Sequence, residues 1–172
     1  GRKLGPKKSW LVILCEDKGD HAGRVRLEVV DAADQENLHT IIASKVAKGT
    51  TLRTDGLGCY EGVEDSEPAR DLQLKHKPVV VGDPKKASKK LPLVHLVASL
   101  LKRFILGTLQ GSVAKRWLPW VVKEFEFRFN RRNTKCRPLL FNRVLEFGLW
   151  DRWQTRRSIE AHAGDFRALG LT

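Results

Sequence analysis

Residues 9–31 read SWLVILCEDKGDHAGRVRLEVVD, and this stretch decides the class of fold. From Trp10 to Cys15 every residue is apolar, with polar residues on either side, as in a buried strand. The segment EDKGDHAG that follows has the Gly, Asp and Lys content of a turn. Beyond it Val25, Leu27 and Val29 alternate with Arg24, Arg26 and Glu28, the pattern of a strand with one exposed face. Two such runs around a turn predict a β-hairpin.

Downstream the period changes. Leu38, Ile41, Ile42 and Val46 recur at helical spacing behind Asp34, a suitable N-cap, and Gly49 is the natural stop. TTLRTD predicts a strand, GLGCY a loop, and EGVEDSEPAR an acidic loop. DLQLKHKPVVV predicts another strand, held to an edge or an end by Pro78. GDPKKASKK is a basic surface turn. A helix follows with Pro92 in its first turn, the stripe Val94, Val97, Ala98, Leu101 and Ile105, and an end at Gly107. GSVAKRWLPWVVKEFEFRFNRR starts a further helical region, interrupted or restarted near Pro119, with Val122, Phe125 and Phe129 on its apolar face. PLLFNRVLEFGLW is a last short helix, and residues 148–172 form a peripheral tail. The order strand, strand, helix, strand, strand, then helices gives a mixed α/β class.

The balance of 32 Lys and Arg against 20 Asp and Glu leaves a formal charge of +12, which points to a polyanionic partner, nucleic acid first. The densest basic stretch runs from Arg70 to Arg103, with nine Lys or Arg against two Asp. The runs WLVILC, PVVV and LPWVV are far short of the roughly 18 residues of a membrane span. Residues 1–9 are a flexible basic lead-in with too little apolar sequence behind them for a signal peptide. Cys15, Cys59 and Cys136 are odd in number and widely spaced, which indicates neither a disulfide framework nor a zinc ribbon and agrees with a cytoplasmic home.

Two residues stand out for chemistry. Asp55 closes the strand TTLRT and is followed by Gly56. It reads either as an Asp-Gly turn or as a carboxylate placed at a strand's end to hold a metal or a reacting group. His95 lies one turn into the helix, and positions 95, 99 and 102 share a face, so His95, Ser99 and Lys102 form a polar stripe. A lone histidine there reads as structural or as a ligand.

The segments LRTDGLGCYEGV, VVVGDPKKASKKLPLVHLVASLLKRFILGTLQGSV and EFEFRFNRR, in this order, resemble the catalytic domain of bacterial insertion-sequence transposases of the DDE type. The resemblance covers residues 10–147 and is nearest to the group whose third catalytic position varies among Asn, Glu and His. It implies a ribonuclease-H-like mixed sheet with flanking helices, whose first, central strand is missing here. It implies DNA transposition through metal-dependent phosphodiester cleavage and strand transfer on double-stranded DNA, with two Mg²⁺ or Mn²⁺ ions.

Asp55 matches the family's second carboxylate and His95 its third position, both as catalytic and metal-holding residues. Lys102 and Arg103 match the basic pair on the same helix. Lys85, Lys86, Lys89 and Lys90 add DNA contacts. The family's first Asp falls before Gly1, and the chain does not begin with Met. The expectation is therefore a truncated, inactive copy, a homo-oligomer when active, located in the bacterial cytoplasm near the nucleoid and without a membrane partner. The alternative is a non-catalytic basic DNA-binding protein with a ribonuclease-H-like fold.

Overall fold

A computed structural model of the chain describes residues 9–79, 87–111 and 113–150. The chain divides into two compact units, Gly1–Arg103 and Phe104–Thr172.

The first unit opens with the expected hairpin. Strand β1 (Trp10–Asp17) pairs antiparallel with β2 (Ala22–Val30), in a register that runs from Trp10↔Val30 to Cys15↔Val25. Val25 and Leu27 are fully buried, while Arg24 and Arg26 face out, as the alternation required. The register then shifts between Cys15 and Asp17. At that irregularity the Glu16 carboxylate accepts a hydrogen bond from the Arg24 N–H at 2.9 Å and pairs with Lys18 at 2.6 Å. The Arg24 amide, then Lys18, hold the Glu16 carboxyl below its ordinary pKa. A Cβ at Gly23 would sit 2.5 Å from Glu16 Oε2, so a larger residue there would displace this carboxylate from the Arg24 N–H.

Helix α1 (Gln35–Lys45) starts where the sequence indicates: Asp34 Oδ1 accepts from the Asn37 N–H at 2.9 Å. It ends earlier than expected. The last helical residue is Lys45, and Gly49 (φ +76°) instead belongs to the turn beyond, where its N–H donates to the Leu72 carbonyl at 2.7 Å. Strands β3 (Thr51–Thr54) and β4 (Lys75–Pro78) pair in parallel, Thr51↔Lys75 through Thr54↔Pro78. Pro78 occupies the final position, where a missing N–H costs no ladder bond.

The segment EGVEDSEPAR between β3 and β4 is a loop, as its composition indicates, but a loop packed into the core. It is a chain of tight turns, with the Ala69 and Arg70 amides bonded to the Ser66 carbonyl at 2.9 and 2.8 Å. Val63 and Ala69 within it are fully buried and join Ile42 and Leu74 in a core cluster. Acidic content hid two apolar residues whose spacing matches neither a helix nor a strand. Leu14 of β1 and Leu52 of β3 pack against that same cluster.

Among the described residues the strands form two separate two-stranded sheets, β1–β2 and β3–β4. The fold is mixed α/β. A short helix α2 (Ala87–Lys90) precedes α3 (Pro92–Leu109). Gly107 does not end α3, since a glycine is tolerated inside a helix at a cost of about 1 kcal/mol. The helix closes at Gln110 (φ +52°) and Gly111 (φ +78°), whose N–H donates to the Ile105 carbonyl at 3.2 Å. By length and composition α3 is also long and apolar enough to cross a membrane, a property the short apolar runs did not disclose.

In the second unit, a 3-10 turn at Lys115–Trp117 leads into α4 (Leu118–Asn130), so Pro119 marks the helix start rather than an interruption. Val122, Phe125 and Phe129 are buried as expected, and the Phe125 ring lies 5.7 Å from Phe104 and 5.8 Å from Phe129. Helix α5 (Arg137–Trp150) ends the described chain. Of the expected tail 148–172, residues 151–172 lie outside the described residues, as do 1–8 of the lead-in.

Candidate functional site

The end of β3 is built by a small polar network. Thr54, the last strand residue, is buried, and its Oγ1 lies 2.9 Å from His76 Nε2 on β4, sharing a hydrogen bond across the parallel pair. The His76 N–H donates to Glu64 Oε1 at 2.7 Å, which ties the strand to the turn segment. The Thr54 carbonyl accepts from the Val79 N–H at 2.8 Å. These bonds hold the strand terminus while the chain turns sharply at Gly56 (φ +76°).

Asp55 sits between them, exposed. Its Oδ1 accepts from the Leu57 N–H at 3.4 Å, the arrangement of an Asx turn. Asp55 thus shapes the Asp-Gly turn and leaves its side chain exposed at the strand's end. Tyr60 in the next turn is half-buried, and its hydroxyl pKa is pushed up to about 12, first by burial and then by the charges of Asp55 and Cys59. The phenol is a neutral donor throughout the working pH range.

His95 is exposed on α3, in the first turns of the helix. Ser99 and Lys102 are exposed too, so the polar stripe is real; Arg103 beside it is exposed as well. The start of the helix is tied to β3 by Arg53, whose Nη2 donates to the Lys90 carbonyl at 3.4 Å and whose Nη1 pairs with Asp17 at 3.6 Å. One arginine thus joins the ends of β1 and β3 to the approach to α3. Lys89 and Lys90 stand exposed at this junction, whereas Lys85 and Lys86 lie outside the described residues.

Sequence reasoning missed Thr54, Tyr60 and His76. His76 lies within the predicted strand DLQLKHKPVVV, and its i, i+2 relation to buried Leu74 places it on the inner face of β4. Alternation was the signal that could have found it.

The donor set does not by itself make a metal centre. Asp55 supplies a single carboxylate and His95 a neutral imidazole, and among the described residues no three His, Cys, Asp or Glu side chains come together to hold an ion. Two divalent cations a few ångströms apart repel unless carboxylates lie between them, and Mg²⁺ in particular demands hard oxygen ligands. No catalytic step through a metal follows from these residues alone.

Comparison with known proteins adds one match. Residues 1–130 match the family model of the ISXO2-like transposase domain. No curated protein and no solved structure matches the chain.

Proposed function

The chain belongs to the family of ISXO2-like transposase domains, and we propose that it works on double-stranded DNA, as part of a bacterial insertion-sequence transposase that cuts and joins phosphodiesters with divalent metals. The observation that carries this reading is the family match over residues 1–130, supported by the +12 charge. In this reading the fold is the ribonuclease-H-like one. Asp55 and His95 are this chain's contribution to the metal site, and His95 stands where relatives use Glu or Asn. Lys89, Lys90, Lys102 and Arg103 neutralise the backbone, with Lys85 and Lys86 extending the same basic run.

A further carboxylate has to join Asp55 before two ions can be held. In this reading the basic surface binds DNA, and cutting requires that further carboxylate. The second reading, a basic DNA-binding protein without chemistry, shares the DNA affinity that the +12 charge supports. The place of action is the cytoplasm, on the bacterial chromosome, and the active form is an oligomer. Helix α3 is long and apolar enough to cross a membrane. Lys102 and Arg103 within it argue for a soluble role, since each costs about 2.5–3.5 kcal/mol at the centre of a bilayer span.

The test is titration of a random DNA duplex at two salt concentrations. Affinity falls with a log–log slope of about −0.9 for each phosphate neutralised. Alanine at Lys89, Lys90, Lys102 or Arg103 lowers the slope by about 1 apiece, whatever the DNA sequence. Binding that ignores salt, or none at low salt, removes the reading. Metal-dependent nicking of a plasmid by residues 1–172, lost on Asp55→Ala, removes the claim that a further carboxylate is needed.

A further inference from the structure

Helix α1 and the turn segment between β3 and β4 line an open pocket of about 510 Å³. Glu36, His39 and Thr40 come from α1, and Glu67 and Pro68 from the turn segment. Positions 36, 39 and 40 share one helix face by the i, i+3, i+4 relation, so the fold brings one carboxylate from each element to the same pocket. In a chain of net charge +12 this lining stands apart: among the described residues it holds two Glu and no Lys or Arg.

His39 is the buried member of the lining, only 5% exposed, and its Nε2 has no hydrogen-bond partner. A buried nitrogen left unpaired is costly, so a group that pairs it is favoured. Burial, and after it the charge of His76, hold the ring below its ordinary pKa of 6.5. At neutral pH it is therefore uncharged, and one of its nitrogens accepts. An anion would meet both carboxylates. The positive end of the α1 dipole, roughly half a charge, is outweighed by them. The complement of this set is a cation with several N–H donors. An ammonium is a compact, strongly hydrated point charge. A guanidinium is flat, more weakly hydrated and carries its N–H groups in a fixed fork, which suits three acceptors around one site.

We propose that the pocket between α1 and the turn segment is a guanidinium-binding site, which takes the arginine side chain of a second polypeptide or a free guanidino compound. Glu36 and Glu67 pair with the charge from two elements. His39 Nε2, in the tautomer with its proton on Nδ1, accepts a further N–H. Glu36, Thr40 and Glu67 are exposed side chains, so rotamer changes alone admit the ligand to the ring. The inference stands on these residues and holds whether or not the chain acts on DNA.

The experiment is a nuclear magnetic resonance titration of the whole chain, isotope-labelled at histidine, near neutral pH and without DNA. His39→Leu identifies the His39 signals by their loss. The probe is N-acetylarginine methylamide, and the control is its citrulline counterpart, which has nearly the same shape and no charge. The arginine probe shifts the His39 ring signals and saturates on the order of millimolar, with Nε2 unprotonated. The citrulline probe binds at least about tenfold more weakly, and the lysine counterpart at least about threefold more weakly. Glu36→Gln and Glu67→Gln, both at exposed positions, each weaken the arginine probe about fivefold, while Glu124→Gln in the second unit leaves it unchanged. Methylguanidine separates the two sources: affinity equal to that of the arginine probe assigns a free guanidino compound, and weaker binding assigns a polypeptide arginine. The proposal is overturned if the citrulline probe binds as well as the arginine probe, or if Nε2 stays protonated at saturation. It is equally overturned if both Gln variants bind like the parent, or if MnCl₂ perturbs His39 and the arginine probe does not. No DNA is present, so this test and the salt titration fail separately.

Discussion

Helices α1 and α3 invert what hydrophobicity alone would lead one to expect. The 11 residues of α1, QENLHTIIASK, are mostly polar, yet the helix seats the fully buried Ile42 in the core of the first unit. The 18 residues of α3 are apolar enough for a membrane span, yet Val97 and Leu101 are its only buried residues, while Leu96 and Leu106 lie 47% and 65% exposed. Apolar content measures what a helix could gain by burial. Burial itself requires a surface that complements it, and α1 has one in Val63, Ala69 and Leu74.

The sharpest way to break this comparison is to truncate one residue on each helix. Ile42→Ala empties a fully enclosed site and should cost about 2–5 kcal/mol, as large-to-small core changes do. Leu106→Ala should stay within about 0.5 kcal/mol, because its side chain is largely in water already. Urea unfolding of both variants gives the answer. Similar losses would mean that the exposed face of α3 is covered in solution.

A smaller effect sharpens the account of how α1 is placed. Asp34→Ala removes the acceptor of the Asn37 N–H and should cost about 1 kcal/mol. Asp34→Asn should restore most of it. If both variants lose the same amount, the cap is not what begins the helix.

The smallest expected effect is a pH slope. His39 on α1 is buried and its Nε2 has no hydrogen-bond partner. Burial, and after it the charge of His76, hold its pKa below the ordinary 6.5. A base whose folded pKa is depressed takes up protons more readily when unfolded, so stability is complete above about 6.5 and declines as pH falls through the folded value. His39→Leu should flatten the stability profile just below about pH 6.5. The lowered carboxyls of Glu16 and Asp20 titrate below that window, from ordinary values of 4.5 and 3.8, and do not mask the change. A profile equally steep in the variant would assign the slope elsewhere.

The hairpin was legible because its period-two pattern directly encodes which side chains face the core. The same holds for the start of α1, where Asp34 and the apolar spacing agree. The ends of helices were less legible. Gly49 and Gly107 both look like stops, but glycine permits a left-handed turn without compelling one, and neighbouring hydrogen bonds decided each case. In the site, the exposure of Asp55 at a strand's end and of His95, Ser99 and Lys102 on one helix face followed from local spacing. The Thr54–His76 bond and the Arg53 link to Lys90 did not, because they join residues 22 and 37 positions apart.

Residue by residue, the sequence determined the local pieces: a hairpin, a capped helix, a strand ending in Asp55, a polar stripe on α3 and a strongly basic surface. These depend on side-chain period, cap chemistry and charge, all of which act over a few neighbours. Only the tertiary structure decided that Val63 and Ala69 belong to the core and that β3 pairs with β4 in parallel. It alone decided that β1–β2 and β3–β4 are two separate sheets among the described residues. Those outcomes depend on which distant surfaces complement one another, and no short-range pattern in a chain records that.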